Sequence, residues 1–190
     1  PFSLAERAFN ESMQWLCSSS DAHQEGVLRL SITRGSGPRG YAPGAAHPRI
    51  MARFSEGLPG RLAPAVMQEA TVTWPDQPAL AGHKLLARTE QVLAAIEAEQ
   101  LGVNDVVMTD INGHWLSSYM GNVFLRIQST LLTPSLDRAG IAGTRRRAVI
   151  EHWAGVYGLE VNVCAIGPDH IAAADEMFIT NSVIGIRSVQ

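Results

Sequence analysis

The stretch Leu80 to Gln91, LAGHKLLARTEQ, sets a lysine, Lys84, between apolar residues at Leu80 and Leu85-Leu86, where a helix is expected to begin. An amine kept from water loses some of its preference for the charged form and becomes a better nucleophile, suited to condensing with an aldehyde. The same pattern also reads as a surface lysine whose alkyl stem covers Leu80 while its ammonium stays in water. Two further stretches could bind anions. Gly140-Ile141-Ala142-Gly143-Thr144-Arg145 has the form of a glycine-rich turn opening a helix, where free backbone N–H groups and the positive end of the dipole favour a phosphate. It lacks P-loop spacing, and many helices begin after glycine without binding anything. Upstream, the guanidinium groups of Arg34 and Arg39 and the hydroxyl of Tyr41 share one loop, a set suited to a carboxylate or simply to solvent. The six histidines are scattered without metal-ligand spacing and no GxSxG elbow is present, so neither a metal site nor hydrolase chemistry is expected.

These groups need elements to hold them. Apolar positions at helical spacing predict a helix from Leu4 to Leu16, broken by the polar run from Ser18 to Asp21, and alternation predicts a strand over 26–33. The Gly/Pro-rich loop 34–44 leads into a poorly patterned stretch, and a domain boundary is expected there, with residues 47–53 as a linker between domains 1–46 and 54–190. Leu85, Val92, Leu93, Ile96 and Leu101 predict an amphipathic helix capped by Gly102, followed by a strand over 106–109. Asn112-Gly113 signals a hairpin into a strand over 114–118, with another over 122–127. A helix opening near Thr144 should bury Val149, Trp153 and Val156, and strands are expected over 159–166 and 177–179. That order is mixed rather than strictly alternating, which predicts an α/β fold of the α+β, mixed-sheet kind.

With 190 residues and 46% hydrophobic content, the chain can bury a sizeable core. A net charge of -3, with Arg145-Arg146-Arg147 as the only basic run, argues against nucleic acid as a partner. No apolar run reaches membrane-spanning length, and Cys17 and Cys164 lie far apart without CxxC spacing, so a cytoplasmic protein with no membrane contact is expected.

Taken in order, TRGSGPRGYAP (33–43), LAGHKLLARTEQVLA (80–94), GNVF (121–124), TPSLDRAGIAGTRR (133–146) and ADEMFITNSVIGI (174–186) resemble the class IV, or fold-type IV, pyridoxal-phosphate enzymes. The RGxGxRGY loop together with K-x-L-x-R-x-E-Q-V leans to the branch of 4-amino-4-deoxychorismate lyases rather than the aminotransferases acting on D- or branched-chain amino acids. A non-catalytic homologue keeping only the fold is the reading from another class.

The resemblance implies a larger C-terminal domain, a small N-terminal domain represented only in part, pyridoxal 5'-phosphate as cofactor, a small-molecule substrate and a homodimer. It implies that Lys84 carries the cofactor and moves the proton, and that Thr144 and Arg145 N–H groups, with Ser182 and Val183, hold the phosphate. It places Asn122 beneath the cofactor, and Arg39 and Tyr41 on the substrate carboxylate. Members carry a glutamate five residues before that asparagine, paired with the pyridine nitrogen, where this chain has Ser117; they also carry an asparagine where this chain has Ala87.

Overall fold

The computed structural model describes residues 2–19, 25–42, 44–45 and 47–190, which fall into two compact units, Pro1–Leu58 and Pro59–Gln190. Of the polar run from Ser18 to Asp21, Ser18 and Ser19 are helical, and residues 20 and 21, like Pro43 of the glycine-rich loop, lie outside the described residues.

In the first unit, helix α1 (Phe2–Ser19) buries Ala8 and Ser12, and the Ser12 hydroxyl donates to the Ala8 carbonyl at 2.7 Å. Strands β1 (Gly26–Thr33) and β2 (Arg49–Glu56) form an antiparallel ribbon in register from Gly26↔Glu56 to Thr33↔Arg49. The 47–53 stretch is therefore largely strand, and the boundary falls at Leu58/Pro59. Only Ile50 and Phe54 of β2 are partly sheltered, so its hydrophobic alternation is too faint to separate it from a linker.

The second unit is built on two sheets. A three-stranded sheet runs β3 (Met67–Glu69), β4 (Asp105–Thr109), β5 (Trp115–Ser118), with β3 parallel and β5 antiparallel to β4. The turn joining β4 to β5 contains Asn112-Gly113, as the sequence predicts; Gly113 adopts φ 79°, and Asp110 Oδ1 accepts the N–H groups of Asn112 and His114. The five-stranded sheet has the order β10 (Gly185–Val189), β9 (Glu176–Asn181), β6 (Asn122–Ile127), β7 (Thr130–Thr133), β8 (Glu160–Val163), with only the β7/β8 pair parallel. A short helix α5 (Pro168–Ala173) precedes β9. The mixed sheets match the α+β expectation.

Helix α2 (Thr89–Leu101) ends at Gly102 in the left-handed conformation, as predicted, but its buried face is Gln91, Ala94 and Ala98, while Val92, Leu93, Ile96 and Leu101 are exposed. Small residues let the helix backbone lie close on the sheet, where Ala94 and Ala98 join Trp74, Val106, Met108 and Leu116 in one core. A second core packs Phe124, Leu131, Val149 and Ala154 together, with the Phe124 and Phe178 rings stacked at 4.9 Å. Against it lies a continuous helical stretch: α3 (Thr144–Ala148), a π-helical turn (Val149–Trp153) and α4 (Ala154–Val156). Val156, expected inside, is exposed, and the residue that packs inward after the π turn is Ala154.

Candidate active site

Lys84 lies in an extended loop between Gly82 and α2, five residues before the helix, and it is exposed. Leu80, Leu85 and Leu86 are themselves 47, 36 and 55% exposed, so the apolar flanks do not bury the amine as their spacing suggested. Of the 190 residues it is the one lysine. What fixes it is backbone pairing. Gly82, at φ 79°, bridges Ile141 in parallel: its N–H donates to the Gly140 carbonyl at 3.0 Å and its carbonyl accepts from Ala142 at 2.9 Å. The lysine loop is thereby stitched to the 140–143 segment, a strap that runs straight into the first turn of α3.

The strap is gripped from below by Asn122, the first residue of β6, whose Nδ2 donates to the Ile141 carbonyl at 2.8 Å. Gly143 makes the approach possible, since a Cβ there would collide with Asn122 Oδ1. Asn122 is delivered by a tight turn: the Ser118 hydroxyl accepts N–H groups from Met120 at 3.3 Å and Gly121 at 2.8 Å. Behind it, fully buried Asp105 accepts the Tyr119 N–H at 3.2 Å and the Val106 N–H at 2.7 Å. Burial pushes the Asp105 carboxyl up to about 6, against the pull of its hydrogen bonds. A folded-state value above the unfolded one means that the buried charge costs stability as pH rises through about 4 to 6. Wild-type stability should therefore fall from pH 5 to pH 8 by ~1.4 kcal/mol more than that of Asp105→Asn, the rest of the penalty having been incurred below pH 5. Urea titrations at the two pH values check this, and parallel pH slopes would refute it.

Beyond the strap, the first N–H groups of α3 have no intrahelical acceptor. The Thr144 hydroxyl lies 3.1 Å from the Ser182 hydroxyl, in the turn between β9 and β10. The turns that carry Thr144 and Ser182, far apart in sequence, thus meet. The Val183 N–H is already given to Asn181 Oδ1 at 2.8 Å, as is that of Ile184, so the group this turn brings to Thr144 is the Ser182 hydroxyl. The Arg145 guanidinium runs down the helix and sits over Trp153, 5.5 Å from the ring centroid, leaving its backbone N–H at the helix start. Arg146 bonds Thr133 Oγ1 and the Pro134 carbonyl and braces the helix to β7.

Ser117, in β5 beside β6, is buried and its hydroxyl donates to the Ser118 carbonyl at 2.6 Å. In the first unit, Arg39 and Tyr41 are exposed on a loop closed by Arg34, whose guanidinium donates to the Ala42 carbonyl at 2.8 Å. Arg34, a candidate for a carboxylate, is thus used to shape the loop that presents the other two.

The strap therefore brings together an amine, an amide and two hydroxyls at a helix start. Those groups could take an aldehyde that bears a phosphate, the candidates for the phosphate being the Thr144 hydroxyl, the Arg145 N–H and the Ser182 hydroxyl. At the position expected for the pyridine nitrogen's partner there is a hydroxyl in place of a carboxylate. The roles of Gly143, Asn181 and Arg88 are not read from the sequence, though all three lie in the stretches quoted above. Each supports a neighbour instead of reaching a ligand, and only the Asn-Ser and Gly-Thr turn pairings hint at the first two.

The whole of residues 1–190 matches the family model of class IV amino-transferases. The chain is 29% identical over 184 residues to the aminodeoxychorismate lyase of Vibrio harveyi, covering 93% of this chain and 67% of that protein. It is 33% identical over 107 residues to a probable branched-chain-amino-acid aminotransferase of Thermotoga maritima, covering 56% of this chain and 38% of that one. The crystal structure of 4-amino-4-deoxychorismate lyase from Pseudomonas aeruginosa superposes with a TM-score of 0.83 at 33% identity, over 97% of this chain and 68% of that chain. The chain thus spans about two thirds of each lyase.

Proposed function

The chain belongs to the class IV aminotransferase family, and from that premise we propose that it acts as a pyridoxal-phosphate-dependent lyase, converting 4-amino-4-deoxychorismate to 4-aminobenzoate and pyruvate for folate synthesis. The family depends on pyridoxal phosphate. The observation that carries the reading is the strap itself, which ties the Lys84 loop, Asn122 and the Thr144–Ser182 pair into one hydrogen-bonded set. When bound, the cofactor supplies an electron sink for the amine-bearing carbon of the substrate. Lys84 Nζ would hold the cofactor and, as general base, would move the proton of the substrate's amine-bearing carbon. The Thr144 and Arg145 N–H groups and the Ser182 hydroxyl would take the cofactor's phosphate, and Asn122 would hold the strap in place through its bond to the Ile141 carbonyl. Arg39 and Tyr41 take the substrate carboxylate in a cytoplasmic homodimer.

The likeness to an aminotransferase over 107 residues supports transamination as the second reading. Ser117 weighs against it. A hydroxyl that donates to a carbonyl leaves the pyridine nitrogen without an acid, and the weaker electron sink hurts transamination most, whereas loss of enolpyruvate is helped by aromatisation of the product ring. Incubation with 4-amino-4-deoxychorismate, following 4-aminobenzoate and pyruvate, tests the proposal; turnover only with amino donors and 2-oxoacids would replace it. Ser117→Glu should shift the ratio of half-transamination to lyase rate upward by roughly tenfold, about 1.4 kcal/mol between the two barriers. An equal change in both rates would remove the role given to Ser117.

A further inference from the structure

We propose that Arg88 is the positioning residue of Lys84, fastening the loop on both sides of the amine to the body of the second unit. The inference rests on the reading of Lys84 given above. Arg88 Nη2 donates to the carbonyl of His83 at 2.8 Å and Nε donates to the carbonyl of Leu85 at 3.0 Å, so the residues immediately before and after the lysine are held by one guanidinium. The guanidinium lies over the Trp74 ring, 5.6 Å from its centroid. Trp74 is buried in the core beneath α2, and its backbone N–H donates to Thr109 at 2.8 Å, so the platform is fixed to β4.

The chemistry favours arginine in this place. Its planar fork offers two divergent donors at once, it stacks on an aromatic face, and it keeps its charge when partly desolvated, none of which a lysine or glutamine reproduces. The loop from 83 to 87 has no strand or helix hydrogen bonds of its own, and Ala87 has no side-chain donor. With the Gly82 bridge on one side and Arg88 on the other, the Lys84 backbone is set from both sides. Arg88 touches no reacting atom. It acts through the position of another residue, and a displacement of about 1 Å at a reacting group costs up to ~100-fold in rate.

The test compares the unaltered chain with Arg88→Gln in two measurements. The rate of reductive trapping of pyridoxal 5'-phosphate by borohydride is read by mass mapping at the single lysine. The affinity for pyridoxamine 5'-phosphate, which forms no bond to lysine, reports the phosphate site alone. Trapping in Arg88→Gln should slow by roughly 10- to 100-fold while pyridoxamine phosphate affinity stays within about twofold. Unchanged trapping, or an equal fall in both, overturns the proposal. Should Arg88→Gln not fold, Trp74→Phe, which keeps a smaller aromatic platform, should give a lesser slowing with the same split, and its absence overturns the proposal equally. Failure of the unaltered chain to be trapped at Lys84 is a different result: it removes the lyase reading on which this one stands.

Discussion

Lys84→Ala should lower the release of 4-aminobenzoate by at least roughly 10³-fold, because one amine is given both the covalent hold on the cofactor and the proton transfer. The sequence makes the experiment unusually clean. With one lysine in 190 residues, borohydride fixation in the parent chain can label only Lys84 among side-chain amines, and the alanine variant should take no such label. The affinity for pyridoxamine 5'-phosphate should survive within a few-fold, since the proposed reading gives the phosphate end to Thr144, Arg145 and Ser182 and not to the lysine. Lys84 lies in an exposed loop outside the core, so thermal stability should change by less than about 1 kcal/mol. Retained turnover, or a side-chain label in the alanine variant, would overturn the central assignment.

The second large effect is expected at Gly143. Its backbone is ordinary, with φ -65° and ψ 139°, so alanine meets no torsional penalty there. The penalty is contact: the new methyl collides with Asn122 Oδ1, and Asn122 sits nearly buried at the head of β6, beside fully buried Val123 and Phe124, with little room to retreat. Either Asn122 turns and gives up its bond to the Ile141 carbonyl, or the strap lifts and carries the start of α3 away from Ser182. Gly143→Ala should cost about 1–3 kcal/mol, a fall in melting temperature of roughly 3–10 °C, and weaken pyridoxamine phosphate binding by at least about tenfold. The coupling is measurable. In the pair Gly143→Ala with Asn122→Ala the second change removes the atom struck by the first, so the double variant should be no worse than the worse single one. Additive losses would mean that the strap and the asparagine do not share one fit.

Much of this arrangement could be read from the sequence, for identifiable reasons. The Asn112-Gly113 hairpin, the Gly102 cap and the strand over 26–33 were legible because each depends on local torsional chemistry or on strict alternation. The stretches carrying Lys84, Thr144 and Ser182 were legible only in their order along the chain. Their meeting depends on a bridge between Gly82 and Ile141, and no local pattern encodes that contact. β2 was hidden because a two-stranded ribbon shelters only two of its side chains. The buried side of α2 was misread because alanine, a weak hydrophobic signal, is what close helix-on-sheet packing selects, and the larger apolar residues were left outside. Arg88 is the arginine of the K-x-L-x-R-x-E-Q-V pattern, but its role was hidden because its partners are backbone carbonyls, which any residue type could have supplied.

The bridge at Gly82 and Ile141 sets a spacing as well as a contact. Two residues lead from it to the amine, and three lead from it to the Thr144 hydroxyl, with a glycine pressed against Asn122 in between. The segment therefore behaves as a ruler laid between the two ends of whatever molecule is held, one end marked by a nitrogen and the other by a pair of hydroxyls. Both marks are measured from the same bridge, so a change at the bridge itself should displace them together, whereas a change at one mark leaves the other where it is.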